Sequence, residues 1–302
     1  MTSIAIIGPG AIGGTLAAWL AQDPTLSISL CARSALTDLV VETPHGTLSA
    51  APEVWTAPEQ AQTVDWVLIT TKTYSAESTK PWLDRLCGPQ TRVAIIQNGV
   101  EHVRLFRHLV PEERLVPVMI NLPASRTAPG RVTQSRDGII AVPTGRNGAD
   151  FVALFANTRI AAAVHEDFLS QAWVKLCGNC AAIVPALTLR ATGPVWNADM
   201  EAIIRGLAEE CAAVARAEGA EVPQEVIEKT VAAMRDMPEG ALSGSIHADR
   251  LAGNPMEIDA RNGVIVRLGE KHGIATPFNR MLVTLLSASA SPWTAPHATE
   301  AR

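Results

Sequence analysis

A short β-branched run, Ser3-Ile4-Ala5-Ile6-Ile7, stops at Gly8 and passes directly into Gly8-Pro9-Gly10-Ala11-Ile12-Gly13. No other stretch constrains the fold as strongly. The run has the length and composition of a buried parallel strand, and the glycine ends it. A helix-like segment follows over 11–21, then a second strand-like run over 26–31. In that setting G-x-G-x-x-G has a physical reading. The first glycine makes a tight turn, the second lets backbone approach a pyrophosphate, and the third lets helix and strand pack closely. The helix N-terminus then presents free N–H groups and partial positive charge to the phosphates. An ordinary glycine-rich turn is the bland alternative, and the flanking strand and helix argue against it.

Further strands are predicted over 65–71, 92–98, 115–120 and 138–142, separated by connections of helix length. That alternation implies βαβ units and a mostly parallel, doubly wound sheet. The pattern changes near residue 165. Met200, Ile203, Ile204, Leu207, Cys211 and Val214 recur at helical intervals. Residues 168–182, 223–235, 255–272 and 277–288 also read as helices, several with a proline near the start. The expected organisation is an α/β dinucleotide-binding domain over 1–165 and an all-helical substrate and catalytic domain over 166–302. The last dozen residues read as a loose tail.

A chain of 302 residues fits two domains at roughly 100–200 residues each. Apolar residues make up 47% and charged residues 18%, a globular balance. A net charge of -5 gives no reason to expect nucleic acid or an anionic membrane as partner. No Lys or Arg precedes Arg33, so the apolar start lacks the charged region of a secretory signal. No run is long enough to span a membrane. Five cysteines, an odd number, do not suggest a disulfide framework, and a cytoplasmic location is expected. A helical second domain this apolar is able to support a homodimer, with no particular residue marked for it.

The second strand ends Leu30-Cys31-Ala32-Arg33-Ser34. An enzyme selecting NAD would place Asp or Glu there for the ribose 2′-hydroxyl; an arginine suits a 2′-phosphate instead. NADPH is therefore the expected cofactor. Lys72, just past the third strand, is a second candidate cation for that phosphate. Asn98 also sits at a strand end, in Gln97-Asn98-Gly99, where a plain turn is the competing reading.

In the helix over 168–182, Lys175 and Asn179 share a face. Lys175 has no acidic neighbour in Ala-Trp-Val-Lys-Leu-Cys-Gly-Asn-Cys. Buried near a hydride-transfer site, it would have a lowered pKa and could donate a proton; otherwise it snorkels to solvent. Cys177 and Cys180 have Cys-x-x-Cys spacing but sit mid-helix, without a strand before them or further ligands at zinc spacing. They read as packing residues, and no metal site is expected. Asn254-Pro255-Met256-Glu257 reads as a capping box opening a helix, which gives Glu257 a structural explanation beside a functional one: a carboxylate holding a substrate hydroxyl. Ser243 and Ser245 offer hydroxyls to a substrate carboxylate. His247 and Asp249 read as a surface pair.

Gly-Pro-Gly-Ala-Ile-Gly-Gly at the start, Thr-Thr-Lys72, Gln-Asn98-Gly, Trp-Val-Lys175-Leu-Cys-Gly-Asn179 and Met-Glu257-Ile-Asp, with His-Gly-Ile-Ala-Thr-Pro downstream, occur in that order. The set resembles the ketopantoate reductase family, the 2-dehydropantoate 2-reductases of pantothenate biosynthesis. The resemblance implies an NADPH-dependent oxidoreductase with a Rossmann domain, a helical domain and a site in the cleft between them. It implies Lys175 as general acid, Glu257 on the substrate hydroxyl, and Asn98 and Asn179 positioning nicotinamide and substrate. Ser245 would meet the substrate carboxylate, and Arg33 and Lys72 the 2′-phosphate. The chain departs from the family pattern at Ile183, Leu242 and Ala248, where polar amides are usual. Those departures raise a variant expectation, that the substrate is a less polar 2-oxo acid or ketone. A β-hydroxyacid or opine-type dehydrogenase, and a non-catalytic NADP-binding sensor, are the remaining alternatives.

Overall fold

The computed structural model describes residues 1–290. The segment 291–302, expected above as a tail, lies outside them. The chain divides into two compact units, the first running from Met1 to Ala172 and the second starting at Trp173.

The strands of the first unit are β1 (Thr2–Ile7), β2 (Leu26–Cys31), β3 (Leu39–Thr43), β4 (Gly46–Ala50), β5 (Glu53–Trp55), β6 (Trp66–Ile69), β7 (Arg92–Ile95), β8 (Leu115–Pro117), β9 (Met119–Asn121), β10 (Ala124–Ala128), β11 (Arg131–Gln134), β12 (Ile139–Pro143) and β13 (Ala161–His165). Its helices are α1 (Ala11–Leu20), α2 (Lys80–Leu86), α3 (His102–Phe106) and α4 (Arg146–Ala153). The main sheet runs β5-β2-β1-β6-β7-β8 with every pairing parallel. Counting only its own strands, that order is 3-2-1-4-5-6, the Rossmann order. The direction of winding reverses between β1 and β6. Open α/β sheets take their ligands at the carboxyl ends of the strands flanking such a switch.

Both faces of this sheet are covered, which is why its strands are apolar without alternation. Ile4, Ile6, Leu30 and Leu68 face one core, while Ala5, Ile7, Val67, Ile69, Val93 and Ile95 face another with Leu83, Leu86 and Phe106. Each such fully buried branched side chain contributes roughly 1.5–3 kcal/mol. Helix α1 packs against the main sheet on one side and against β3, β4, β10 and β11 on the other. It is therefore buried continuously from Gly13 to Leu20. The indole N–H of Trp19 donates to Gln134 Oε1 on β11 at 2.9 Å.

Three features differ from the sequence expectation. The sheet β10-β11-β3-β4 was not expected. Its strands are short and half-exposed, and its register depends on pairs far apart in sequence, such as β11 with β3. The strand expected over 115–120 is two strands. β8 ends the main sheet, and β9 joins β12 and β13 in a separate three-stranded sheet, with Pro117, which has no N–H, at the change of partner. The strand expected over 138–142 accordingly lies in that small sheet.

The second unit is helical. It contains α5 (Phe168–Cys180, begun in the first unit), α6 (Ile183–Thr188), α7 (Ala198–Ala217), α8 (Gln224–Arg235), α9 (Ser245–Leu251), a π-helical turn (Asp259–Gly263), α10 (Val264–His272) and α11 (Pro277–Ala290). Asn197 caps α7, its Oδ1 accepting from Met200 N at 2.8 Å. A buried carboxylate caps α11: Phe278 N and Asn279 N donate to Glu210 at 2.8 and 2.9 Å. Asn279 Oδ1 accepts from Asn262 Nδ2 at 2.8 Å, and the same Nδ2 donates to Cys180 O at 2.9 Å. This network fastens the π turn to α5, α7 and α11. No helix among the described residues is long and apolar enough to cross a membrane.

The helix expected to open at Pro255 opens at Ile258 instead. Asn254 is already committed: its N–H returns to Asp249 O at 2.8 Å, with Gly253 at φ 67°, closing the end of α9 in a Schellman-type turn. The capping box therefore does not form, and Glu257 is not a third-position helix carboxylate.

Candidate active site

The glycine loop of the first unit leaves β1 at the switch point. Gly8 has φ 91°, which favours glycine, and a Cβ there would come within 2.7 Å of Thr71 Cγ2. Gly13 is closed in: a Cβ would meet Thr70 Oγ1 at 2.3 Å and Gly8 O at 2.6 Å. Gly10 is different, since a Cβ would find only Gly8 O, at 3.9 Å. Packing within the protein therefore leaves open space beside position 10. Gly10 also stands at the N-terminus of α1 with no side-chain cap, so the N–H groups of that first turn remain available to phosphate oxygens. Pro9, Ala11 and Ile12 are half-buried around the turn. These features fit a dinucleotide pyrophosphate.

Arg33 follows β2 in an exposed bend, and β2 is the immediate neighbour of β1. Lys72 follows β6 and Asn98 follows β7, both half-buried. All three lie beyond the carboxyl ends of parallel strands, β2 on one side of β1 and β6 and β7 on the other, on the edge of the sheet that carries the glycine loop. The amide of Gln97, a residue without an assigned role in the sequence, donates to Thr71 O at 2.9 Å and holds the loops after β6 and β7 together. Thr70 Oγ1 donates to Gly8 O at 2.8 Å, tying the glycine loop to the same place.

In the second unit, Lys175 is half-buried on α5, with Asn179 one turn later. Burial lowers the Lys175 pKa from its ordinary 10.5 to about 8; the positive charge of Arg261 adds to the fall, and the carboxylate of Glu257 opposes it. An ammonium with that pKa holds its proton at neutral pH yet releases it readily, as a general acid requires. Glu257 is 5% exposed. It stands just before the helical turn that opens at Ile258, and its carboxylate acts on both Lys175 and Arg261.

Arg261 was missed in the sequence, where one arginine in a helical stretch reads as surface. The structure buries it at 2% exposure in the π turn. Its Nη2 donates to Asn179 O at 2.9 Å and its Nη1 to Ser245 Oγ at 3.4 Å. Asn179 and Ser245 thus meet at one guanidinium, whose charge also acts on Lys175 and feels the carboxylate of Glu257. Of the three departures noted above, Ile183 is fully buried in the core, Leu242 is 59% exposed and Ala248 is half-buried.

Cys177 and Cys180 lie in the core beside Cys211, all three as free thiols. Cys180 Sγ donates to Cys177 O at 3.1 Å. Burial, reinforced by hydrogen bonds to the other two thiols, pushes Cys211 well above its ordinary pKa. No group of three or more His, Cys, Asp or Glu among the described residues is placed to hold a metal. The surface pair expected of His247 and Asp249 is not found. His247 is 3% exposed, its Nδ1 accepts from Ser243 N at 3.4 Å, and burial lowers its pKa.

A Rossmann-ordered sheet with a glycine loop at its switch point, joined to a helical unit carrying a poised lysine, is the architecture of a two-domain dinucleotide-dependent oxidoreductase. The sequence pattern described as "Ketopantoate reductase PanE/ApbA" matches residues 4–147, and "Ketopantoate reductase PanE/ApbA C terminal" matches residues 167–290. The chain belongs to the ketopantoate reductase family. It is 53% identical over 290 residues to a 2-dehydropantoate 2-reductase of Caulobacter vibrioides, covering 96% of this chain and 100% of that one. It is 35% identical over 291 residues to a 2-dehydropantoate 2-reductase of Mycobacterium tuberculosis, covering 96% and 98%. A crystal structure of a PanE/ApbA family ketopantoate reductase from Ralstonia eutropha superposes with TM-score 0.87 at 29% identity, covering 95% of this chain and 98% of that one.

Proposed function

We propose that this chain reduces ketopantoate to pantoate with NADPH. The observation that carries the reading is Lys175, with a pKa drawn down to about 8 within the fields of Glu257 and Arg261, in a chain that aligns end to end with 2-dehydropantoate 2-reductases. Bound NADPH supplies a hydride to the ketone carbon of the substrate. Lys175 stabilises the negative charge that builds on the ketone oxygen and gives that oxygen its proton, which favours the transition state over the ground state. The neutral amine then regains a proton from solvent. Glu257 accepts a hydrogen bond from the substrate hydroxyl, Ser245 donates to the carboxylate, and Asn179 and Asn98 position substrate and nicotinamide. Residues 1–165 serve as the dinucleotide-binding domain and 166–302 as the substrate and catalytic domain. The free thiols fit a cytoplasmic enzyme. A homodimer is the working assembly; Met281 and Leu285, one turn apart on α11 and 47% and 48% exposed, offer an apolar contact.

NADPH deuterated at the nicotinamide C4 tests the reaction. Pantoate carrying deuterium at C2 is expected. Release of any other product, or none, would overturn the reading and direct the search to less polar 2-oxo acids and ketones.

Arg33 and Lys72 hold the 2′-phosphate. Arg33→Ala is expected to weaken NADPH binding roughly ten- to hundredfold, as loss of a charge-assisted contact does. NADH binding should barely change. Titrating both cofactors checks this, and equal losses for the two would remove Arg33 from the phosphate site.

Lys175 must carry its proton to act. kcat is therefore expected to hold level below pH about 8 and to fall as pH rises through it. In Glu257→Gln that descending limb should move to lower pH, because the carboxylate is what holds the proton on. A pH–rate profile of both proteins decides the point; a limb that stays in place would separate Glu257 from the lysine.

A further inference from the structure

A guanidinium at 2% exposure inside a helical unit needs a reason. Arg261 has two hydrogen bonds, to Asn179 O and Ser245 Oγ, and its Nε has no hydrogen-bond partner. We propose that Arg261 is a positioning residue for the substrate carboxylate: it fixes the Ser245 hydroxyl as a donor and places a buried positive charge behind it. This rests on the reductase reading above, in which Ser245 meets that carboxylate.

The geometry gives the direction. A guanidinium only donates, while a serine hydroxyl has one proton and two lone pairs. With Nη1 donating to Oγ at 3.4 Å, a lone pair is engaged and the hydroxyl proton is left to point elsewhere. Ser245 is itself exposed, at the start of α9, so an incoming anion can reach that proton. A donor backed by a cation binds an anion more strongly than a neutral hydroxyl does.

The charges agree. The groups that act on Arg261 are the carboxylates of Glu257 and Asp249 and the thiol of Cys180, and Arg261 in turn acts on Lys175. Arg261 and Glu257 are buried and Lys175 and Asp249 half-buried, so the cluster sets two cations beside two carboxylates. A substrate carboxylate gains from a cation placed behind the Ser245 hydroxyl. A neutral ketone does not. Arg261 also pins Asn179, on the Lys175 face of α5, to the start of α9. One side chain therefore sets the spacing between the proton donor and the carboxylate anchor.

The test compares ketopantoate as substrate with its methyl ester as a competitor of ketopantoate, in wild type, Arg261→Met, Arg261→Lys, Ser245→Ala and the double variant R261M/S245A, with NADPH binding followed alongside. Arg261→Met is expected to raise the ketopantoate KM roughly ten- to hundredfold, with a smaller change in kcat. The inhibition constant of the ester and the NADPH affinity should stay as in wild type. Arg261→Lys should recover part of the loss. Ser245→Ala added to Arg261→Met should cost little more, because both act through one hydroxyl. Parallel losses for acid and ester, or additive losses in the double variant, would overturn the proposal and make Arg261 a structural residue. Should Arg261→Met fail to show a cooperative melt, Ser245→Ala alone decides: loss confined to the acid supports the relay, and equal loss for acid and ester ends it. Wild type that does not turn over ketopantoate at all would instead overturn the reductase reading, and this proposal with it.

Discussion

Lys175→Ala is expected to lower kcat for ketopantoate reduction by roughly 10²–10⁴-fold, the usual contribution of a positioned general acid. NADPH affinity should be unchanged, because every residue assigned to the cofactor lies in the first unit and Lys175 in the second. The variant should also fold. Removing an ammonium that burial already destabilises relieves that cost, and Trp173, Leu176 and Cys177 keep α5 in its core. Steady-state turnover, NADPH titration and a thermal melt on one preparation separate these effects. Loss of kcat together with loss of the melt would point to structure, and retained kcat would remove the lysine from the mechanism.

The second large effect belongs to the glycine loop, where two neighbouring glycines should fail in different ways. Gly10→Val meets only Gly8 O at 3.9 Å from its Cβ, so the fold should tolerate it. The added methyl groups would occupy the approach to the N-terminus of α1, and NADPH affinity is expected to fall at least about a hundredfold, or ~2.7 kcal/mol. Gly13→Ala drives a Cβ to within 2.3 Å of Thr70 Oγ1 and 2.6 Å of a backbone oxygen, so helix and strand must part. That variant should lose stability and cofactor together, by roughly 1–3 kcal/mol of overpacking. Thermal melts with and without NADPH distinguish the two cases. Equal destabilisation of both would mean that position 10 is glycine for the sake of the fold.

The sequence revealed those parts of this molecule that are determined locally. β1, the glycine loop and α1 were legible because an apolar strand, a turn that needs glycine and a helix start follow one another directly. Lys175 and Asn179 were legible as a shared helix face. The side sheet of β3, β4, β10 and β11 was not, because its short strands take their register from pairing across the unit. Asn254 misled for a related reason. Its capping signature competes with the Gly253 turn that ends α9, and local sequence does not say which helix takes the residue. His247 and Arg261 were the hardest. A charged or titratable residue on a helix reads as solvated unless tertiary packing encloses it, and a π turn fastened by Asn262 to α5 and α11 has no sequence signal of its own. Burial likewise gives Lys175 its lowered pKa, which the motif alone does not show.

The central claim is that an NADPH-dependent reduction of ketopantoate runs through Lys175. NADPH oxidation by the purified full chain with ketopantoate, beside NADH and beside the Lys175→Ala protein, tests it most directly. The account predicts rapid turnover with NADPH, far slower turnover with NADH, and near-complete loss in the variant. Tight NADPH binding with no turnover of ketopantoate, or turnover that survives the loss of Lys175, would contradict it.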